Sequence, residues 1–207
     1  AFDVRNKNCY GIGERNITPY GQVVTNNKLP QIFSTLATTS GYKKRRQEIA
    51  SFNATSQTHL KGLAMTAVKF GISFTTKFLN QGNALVNVYT DGTIQVSTGG
   101  TEMGQGLNTK ISQIVADVFG ISTDAVLLMP TSTEKNNNTS PTAASAGTDL
   151  NGRAASNAAL QIRNRMAGFA AQIFSSPEDG IDPSPEYIEF GNGQVWDRRL
   201  PDRRISF

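Results

Sequence analysis

The chain has 207 residues, an apolar fraction of 38% and a formal net charge of +4, from 20 lysines and arginines against 16 acids. That balance excludes a disordered or collagen-like chain, and no apolar run approaches the roughly 18 residues needed to cross a bilayer. One cysteine, Cys9, and one histidine, His59, exclude an internal disulfide and any zinc or iron–sulfur site built from this chain alone.

The lone thiol points to a reducing, cytoplasmic setting. The start, Ala1-Phe2-Asp3-Val4-Arg5, carries no signal- or transit-peptide pattern and no initiator methionine, which reads as a fragment or a processed chain. Residues 1–30 read as irregular, punctuated by Gly11, Gly13, Pro19, Gly21 and Pro30. Pro30 suits the first turn of a helix over 31–37, and a second helix is predicted over 42–52. The basic run Lys43-Lys44-Arg45-Arg46 is followed by Glu48 and interleaved with apolar residues. It reads as a solvated helix face and not as a nucleic-acid patch.

From Leu63 the pattern changes. Val68, Phe70, Ile72 and Phe74 alternate with Lys69, Gly71 and Ser73, the period of a strand with one buried face. Strands are also predicted over 83–89 and 94–98, joined by a two-residue Asp91-Gly92 hairpin. A helix over 107–119 follows, with Leu107, Ile111, Ile114, Val115, Val118 and Phe119 on one face and Gly120 closing it. A short strand over 125–129 leads to a polar loop over 130–141, rich in Asn and Thr. A long helix is predicted from Pro141 to Phe174, with Leu150, Ala154, Ala158, Ile162, Met166 and Phe169 as its inner stripe and Gly152 as a possible break. Beyond Ser175 the chain is rich in Pro, Gly and Arg. The element order predicts an α+β domain of mixed helices and antiparallel hairpins. Its parts are a helical connecting segment over 1–60, a core over 61–175 and an irregular extension over 176–207.

Two segments carry the chemistry. Gly99 to Leu107 holds four glycines in eight residues ahead of a helix, whose start offers free N–H groups and a positive dipole end to an anion. Asn138 to Ser145 is a second polar loop that runs toward a helix through small residues. Two such openings suggest one shared anionic ligand. Glu102 sits in the glycine loop, where it is read as neutralising a dipole or a basic group.

Lys69 to Thr75, Leu79-Asn80-Gln81, Val88 to Gly92, Gly99 to Leu107, Asn138 to Ser145, Asp149 to Gly152 and Asp3-Val4-Arg5 together resemble the xanthine dehydrogenase family, in one order over nearly the whole chain. More narrowly they resemble the large, molybdopterin-binding part of its bacterial enzymes. The resemblance implies the fold of the molybdopterin-binding domain shared by xanthine dehydrogenases and aldehyde oxidases. It implies purine oxidation at a molybdenum centre carried by the pterin's own dithiolene, with electrons leaving through 2Fe-2S clusters and FAD to NAD. By the same resemblance Met103 and Gln105 line the pterin, Ala144 lies beside molybdenum, and Thr142, Ala143 and Ser145 surround it. Phe74 and Thr75 match substrate-side residues. A serine that meets the cofactor in the family is replaced here by Gly147.

The family's general base and purine-gripping charges match nothing in these 207 residues. The chain therefore reads as a fragment with no catalytic residue of its own and no direct metal ligand. It is expected to turn over no substrate alone, to retain little molybdenum, and to work with the rest of the large subunit and an iron–sulfur/FAD partner in an oligomeric assembly. No nucleic-acid or membrane partner is implied. An aldehyde oxidase or other molybdenum hydroxylase, and a stand-alone phosphate- or nucleotide-binding module, are the alternatives.

Overall fold

The computed structural model describes every residue except Lys69 and Asp179, and it divides into two compact units, Ala1–Phe70 and Gly71–Phe207.

The N-terminal unit holds α1 (Phe2–Lys7), α2 (Leu29–Thr39) and α3 (Tyr42–Thr55). Pro30 stands in the first turn of α2, where its missing N–H costs nothing. Gly41, at φ 59°, turns the chain between α2 and α3. Helix α1 corrects the irregular reading of the first thirty residues. It is too short to persist by itself, and it is held because Phe2 packs 5.8 Å from the Phe33 ring and 5.2 Å from the Tyr42 ring. Arg5 adds a 2.8 Å hydrogen bond to the Met65 carbonyl. Helix α3 exposes its basic run, with Lys44 3.9 Å from Glu48 in a solvated i,i+4 pair.

The alternating segment before residue 75 forms no strand among the described residues, and Lys69 lies outside them. Val68, Phe70 and Ile72 are 77%, 67% and 59% exposed, so the alternation buries no face. Ser73, at φ 73°, breaks the extended path.

The C-terminal unit is built on a sheet of order β1 (Ala84–Val88), β2 (Ile94–Thr98), β3 (Val126–Leu128). Strands β1 and β2 are antiparallel, with Ala84 opposite Thr98, and β2 and β3 are parallel. Their connection, Thr90-Asp91-Gly92, is one residue longer than the predicted two-residue turn. Tyr89 N–H bonds Thr93 O across it at 2.9 Å, Gly92 takes φ 81°, and the Asp91 carboxylate accepts the Thr93 N–H and hydroxyl. Helix α4 (Leu107–Phe119) connects β2 to β3 and buries Leu107, Ile111, Val115 and Phe119 against Ile94 and Val96.

Helix α5 (Arg153–Phe174) starts later than predicted. A single π-turn, Thr148–Gly152, precedes it, and Gly152 is carried through this turn without a break. Residues 141–146 stay out of helix. The buried residues of α5 are Ala155, Ala159, Ala167, Ala170, Ala171 and Phe174; Ala158, Ile162 and Met166 of the predicted stripe pack beside the core partly buried, while Phe169 is 67% exposed. Asn151 explains the shift. It is buried in the position the sequence pattern gives to Leu150, because its amide accepts from Asn83 N–H and donates to Gly147 O.

The last residues are not irregular. Strands β4 (Ile188–Gly191), β5 (Gln194–Asp197) and β6 (Arg204–Ser206) form an antiparallel meander. Asn192 and Gly193, both at positive φ, make its first turn. Ile188 and Val195 pack on Ala167, Ala170, Ala171 and Phe174 of α5. Asp197 is fully buried and takes the Arg199 guanidinium at 2.6 and 2.9 Å and the Arg199 N–H at 2.8 Å.

Candidate functional site

Two segments of the C-terminal unit wall one cavity, and a third is hydrogen-bonded to them. The first is the loop from Gly99 to Gly106, between β2 and α4. A Cβ on Gly99 would lie inside the Thr139 side chain, and one on Gly100 would meet Leu107 at 2.6 Å, so these glycines permit the close approach of loop and helix. Gly104 and Gly106 take φ 94° and 75°. Between them the Gln105 amide folds back, accepting the Met103 N–H and donating to Thr101 O at 2.8 Å.

Glu102 fills the start of α4. Its Oε1 accepts from Gly104 N–H at 2.8 Å and Gly106 N–H at 3.1 Å, and its Oε2 accepts from Asn108 N–H at 2.9 Å. These bonds, the one from Asn108 foremost, hold its carboxyl below the usual carboxylate range. The chain's own carboxylate takes these N–H groups, so the helix start is not free for a ligand anion.

The second segment runs from Asn138 to Ala146. Ala144 and Ser145 both adopt left-handed backbone, at φ 51° and 52°. Thr142 Oγ1 accepts the Thr101 N–H at 2.9 Å and ties this loop to the first.

The third segment, 73–83, is pinned on both sides. Ser73 N–H donates to Ala144 O at 2.9 Å. The Asn80 side chain clamps Phe74, accepting its N–H and donating to its C=O, each at 2.8 Å. Gln81 N–H donates to Ser140 Oγ at 2.9 Å, Thr139 donates to Gln81 O at 3.1 Å, and Asn83 donates to Asn137 O at 2.8 Å. The Asn- and Thr-rich composition of the loop over 130–141 thus answers to a polar seam.

The cavity measures about 510 Å3, and Met103, Gln105, Thr142, Ala143, Ala144 and Ser145 all line it. Half-buried Phe74 and exposed Thr75 are not in its wall. They adjoin it through the Ser73–Ala144 bond. Sequence reasoning missed Lys110 and Thr148, which also line the cavity. Lys110 lies one turn after Leu107, and its Nζ reaches Gln105 O at 3.2 Å; the helical spacing of three from Leu107 was the available signal. A larger cavity of 620 Å3 in the N-terminal unit, walled by residues such as Tyr10, Val24 and Phe70, gathers none of the predicted site residues. Among the described residues no group of three or more His, Cys, Asp or Glu comes together as a metal site. No helix among them is long and apolar enough to cross a membrane.

Comparison with known proteins adds the following. Residues 35–207 match the family described as the molybdopterin cofactor-binding domain. The chain is 46% identical to a xanthine dehydrogenase of Dictyostelium discoideum over 80% of its length, and 47% identical to xanthine dehydrogenase 2 of Arabidopsis thaliana over 77%. It is also 42% identical to a nicotinate hydroxylase of Emericella nidulans over 81%. The chain spans 12% of each of these relatives. Among solved structures, a CO dehydrogenase from Oligotropha carboxidovorans superposes with a TM-score of 0.72 at 19% identity, covering 99% of this chain and 26% of that one. A quinoline 2-oxidoreductase from Pseudomonas putida 86 gives 0.68 at 20% identity, with the same coverage. At those identities the likeness is one of fold.

Proposed function

The chain belongs to the molybdopterin cofactor-binding domain family, and from that premise we propose that it supplies part of the pterin cradle and one wall of the substrate pocket in a purine-hydroxylating xanthine dehydrogenase. The observation that carries this reading is the gathering of two segments distant in sequence, Met103 with Gln105 and Thr142 to Ser145, around one cavity.

The cavity suits the group. The hydroxyls of Thr142, Ser145 and Thr148, the Gln105 amide and the Lys110 ammonium offer donors to a pterin bearing a phosphate. Ala143 and Ala144 keep the wall low where metal ligands need space. A metal carried by the cofactor's own sulfurs needs no thiol or imidazole from this chain. When bound, the group supplies the two-electron oxidation of an electron-poor ring carbon.

The chain's residues then orient and shape. Met103 and Gln105 would line a bound pterin, and Ala144 would leave room beside its metal. Phe74 offers an aromatic surface to a flat heterocycle, worth about 0.5–1.5 kcal/mol beyond plain burial, and Thr75 a hydroxyl to a ring nitrogen or carbonyl. Glu102 is no general base here, since both its oxygens are engaged by main-chain N–H groups and it stands outside the cavity wall. The base and the purine-gripping charges come from the rest of a longer polypeptide. Iron–sulfur clusters and FAD on other domains or subunits carry the electrons to NAD+, in a cytoplasmic, oligomeric assembly. The isolated chain turns over nothing.

The likeness to a nicotinate hydroxylase favours a second reading within the same chemistry, hydroxylation of another heteroaromatic ring. Steady-state kcat/KM of the complete enzyme with xanthine, nicotinate and an aromatic aldehyde separates the two. Preference for xanthine is the expected result; preference for nicotinate or the aldehyde overturns the purine assignment.

A further inference from the structure

The glycine loop holds a carboxylate that the cofactor reading does not use. Glu102 lies four residues before the N-cap Gly106, yet its two oxygens accept three main-chain N–H bonds, from Gly104, Gly106 and Asn108. Those are the donors that a helix start ordinarily leaves to a phosphate. The two residues aimed at the cavity, Met103 and Gln105, sit between the ends of this clamp, and the Gln105 amide closes a second ring inside it. Gly104 and Gly106 have open space around the position of a Cβ, so no side-chain packing holds these two positions, whose N–H groups the Glu102 carboxylate accepts.

We propose that Glu102 is the positioning residue of this loop, an internal anion that fixes Met103 and Gln105 toward the cavity and closes the start of α4 to outside anions. A ligand phosphate is thereby turned away from the helix axis and toward the cavity wall, where Lys110 and the hydroxyls of Thr142, Ser145 and Thr148 stand.

The variant Glu102→Gln keeps the shape of the side chain. Its amide retains one acceptor oxygen but sets an NH2 against the Asn108 N–H, donor against donor. Glu102→Ala removes the clamp altogether. Both belong in the full-length protein with its partners, and two readouts separate positioning from mere support.

The first is hydrogen exchange of the peptide 101–110 in cofactor-free protein, with and without inorganic phosphate. In the parent protein the Gly104, Gly106 and Asn108 amides of this peptide are protected, and phosphate leaves them unchanged. In either variant exchange accelerates, and phosphate restores protection by entering the vacated helix start. Acceleration that phosphate does not reverse, or no acceleration at all, overturns the proposal. The second readout is molybdenum per folded protein, which falls about tenfold in Glu102→Gln, the factor that one lost charge-assisted bond implies; an unchanged ratio also overturns it. Should Glu102→Ala fail to fold, Glu102→Gln carries both readouts. Only the molybdenum measurement rests on the cofactor reading. Parent protein without molybdenum counts against that reading, while the phosphate experiment still decides the role of Glu102.

Discussion

Asp197 and Ala144 show how much single residues carry in this chain. Asp197 has no exposed surface, and its charge is met by the Arg199 side chain and N–H. The Arg199 guanidinium holds its carboxyl below the usual range. Asp197→Ala leaves that guanidinium without its partner and is expected to cost about 3 kcal/mol in urea unfolding. The single tryptophan, Trp196, stands next to it on β5 and reports the transition by its emission. The pH dependence follows from the sign. Asp91, Glu102 and Asp197 all have lowered native pKa values, so their contribution is complete above the ordinary carboxyl pKa of about 4 and is lost as pH falls through the lowered values. Acid unfolding should therefore begin below about pH 4, and its first part should flatten in Asp197→Ala; an unaltered acid limb would remove Asp197 from that account. At Ala144 the left-handed backbone is tolerable for a methyl group and severe for a β-branched residue. Ala144→Val should lower stability by about 1–3 kcal/mol and also crowd the cavity, which a melt together with molybdenum content of the full enzyme would read. That Ala144 lines this cavity was legible only through the resemblance. Its backbone conformation was not legible, since left-handed Ala-Ser is imposed by bonds such as Ser73 N–H to Ala144 O, seventy-one positions apart in sequence.

The elements divide by whether their stabilising contacts are local. Helix α4 was readable because its apolar periodicity coincides with its burial, and because glycines stand at both of its ends. Those two glycines are not equivalent. Gly106 has φ 75° and nothing within 4 Å of a Cβ, whereas Gly120 has φ 63° and a Cβ that would meet Phe190 O and Gly191 Cα at 2.5 Å. Left-handed backbone costs about 1–2 kcal/mol for a residue with a side chain, so Gly106→Ala should lose only that. Gly120→Ala must also displace β4, and its loss should be clearly larger in paired denaturant melts; equal losses would show that the α4–β4 contact yields freely. The meander β4–β6 escaped the sequence reading because the Pro, Gly and Arg content beyond Ser175 reads as irregular. Its one clear local signal was Asn192-Gly193 between Phe190 and Val195, a strong short-range mark of a hairpin. The opposite error befell the segment before residue 75. Alternation was present, but nothing among the described residues pairs with it, and a period of two makes a strand only when a neighbour accepts its hydrogen bonds.

At the scale of the molecule, the boundary between units depends on where buried apolar surface is shared. The predicted boundaries at 60 and 175 followed composition. The contacts instead divide at Phe70, and they bind the C-terminal meander to α5 through Phe174, Ile188 and Val195. The two units are unequally built. The N-terminal unit buries Phe33, Tyr42 and Met65, while the other buries two clusters with Ile94, Val96, Ile111, Val115, Phe119 and Phe174 among them. Units of about 70 residues are marginal even with a full core, and opening free energy scales with the apolar surface an element buries. Amides of α2 and α3 should therefore exchange several orders of magnitude faster than those of α4 and β2, as roughly 1.4 kcal/mol per tenfold requires for a difference of a few buried side chains. Proteases should first cut near Leu60 to Ile72, where Leu60, Val68, Phe70 and Ile72 are exposed, and release a fragment close to 71–207 that keeps the cavity residues together. Equal protection across α2, α3 and α4 would mean that the small N-terminal core draws its stability from surface buried elsewhere in the native protein. The site itself would be unaffected by that outcome, because every bond that shapes the cavity, from Ser73–Ala144 to Thr101–Thr142, lies within residues 71–207.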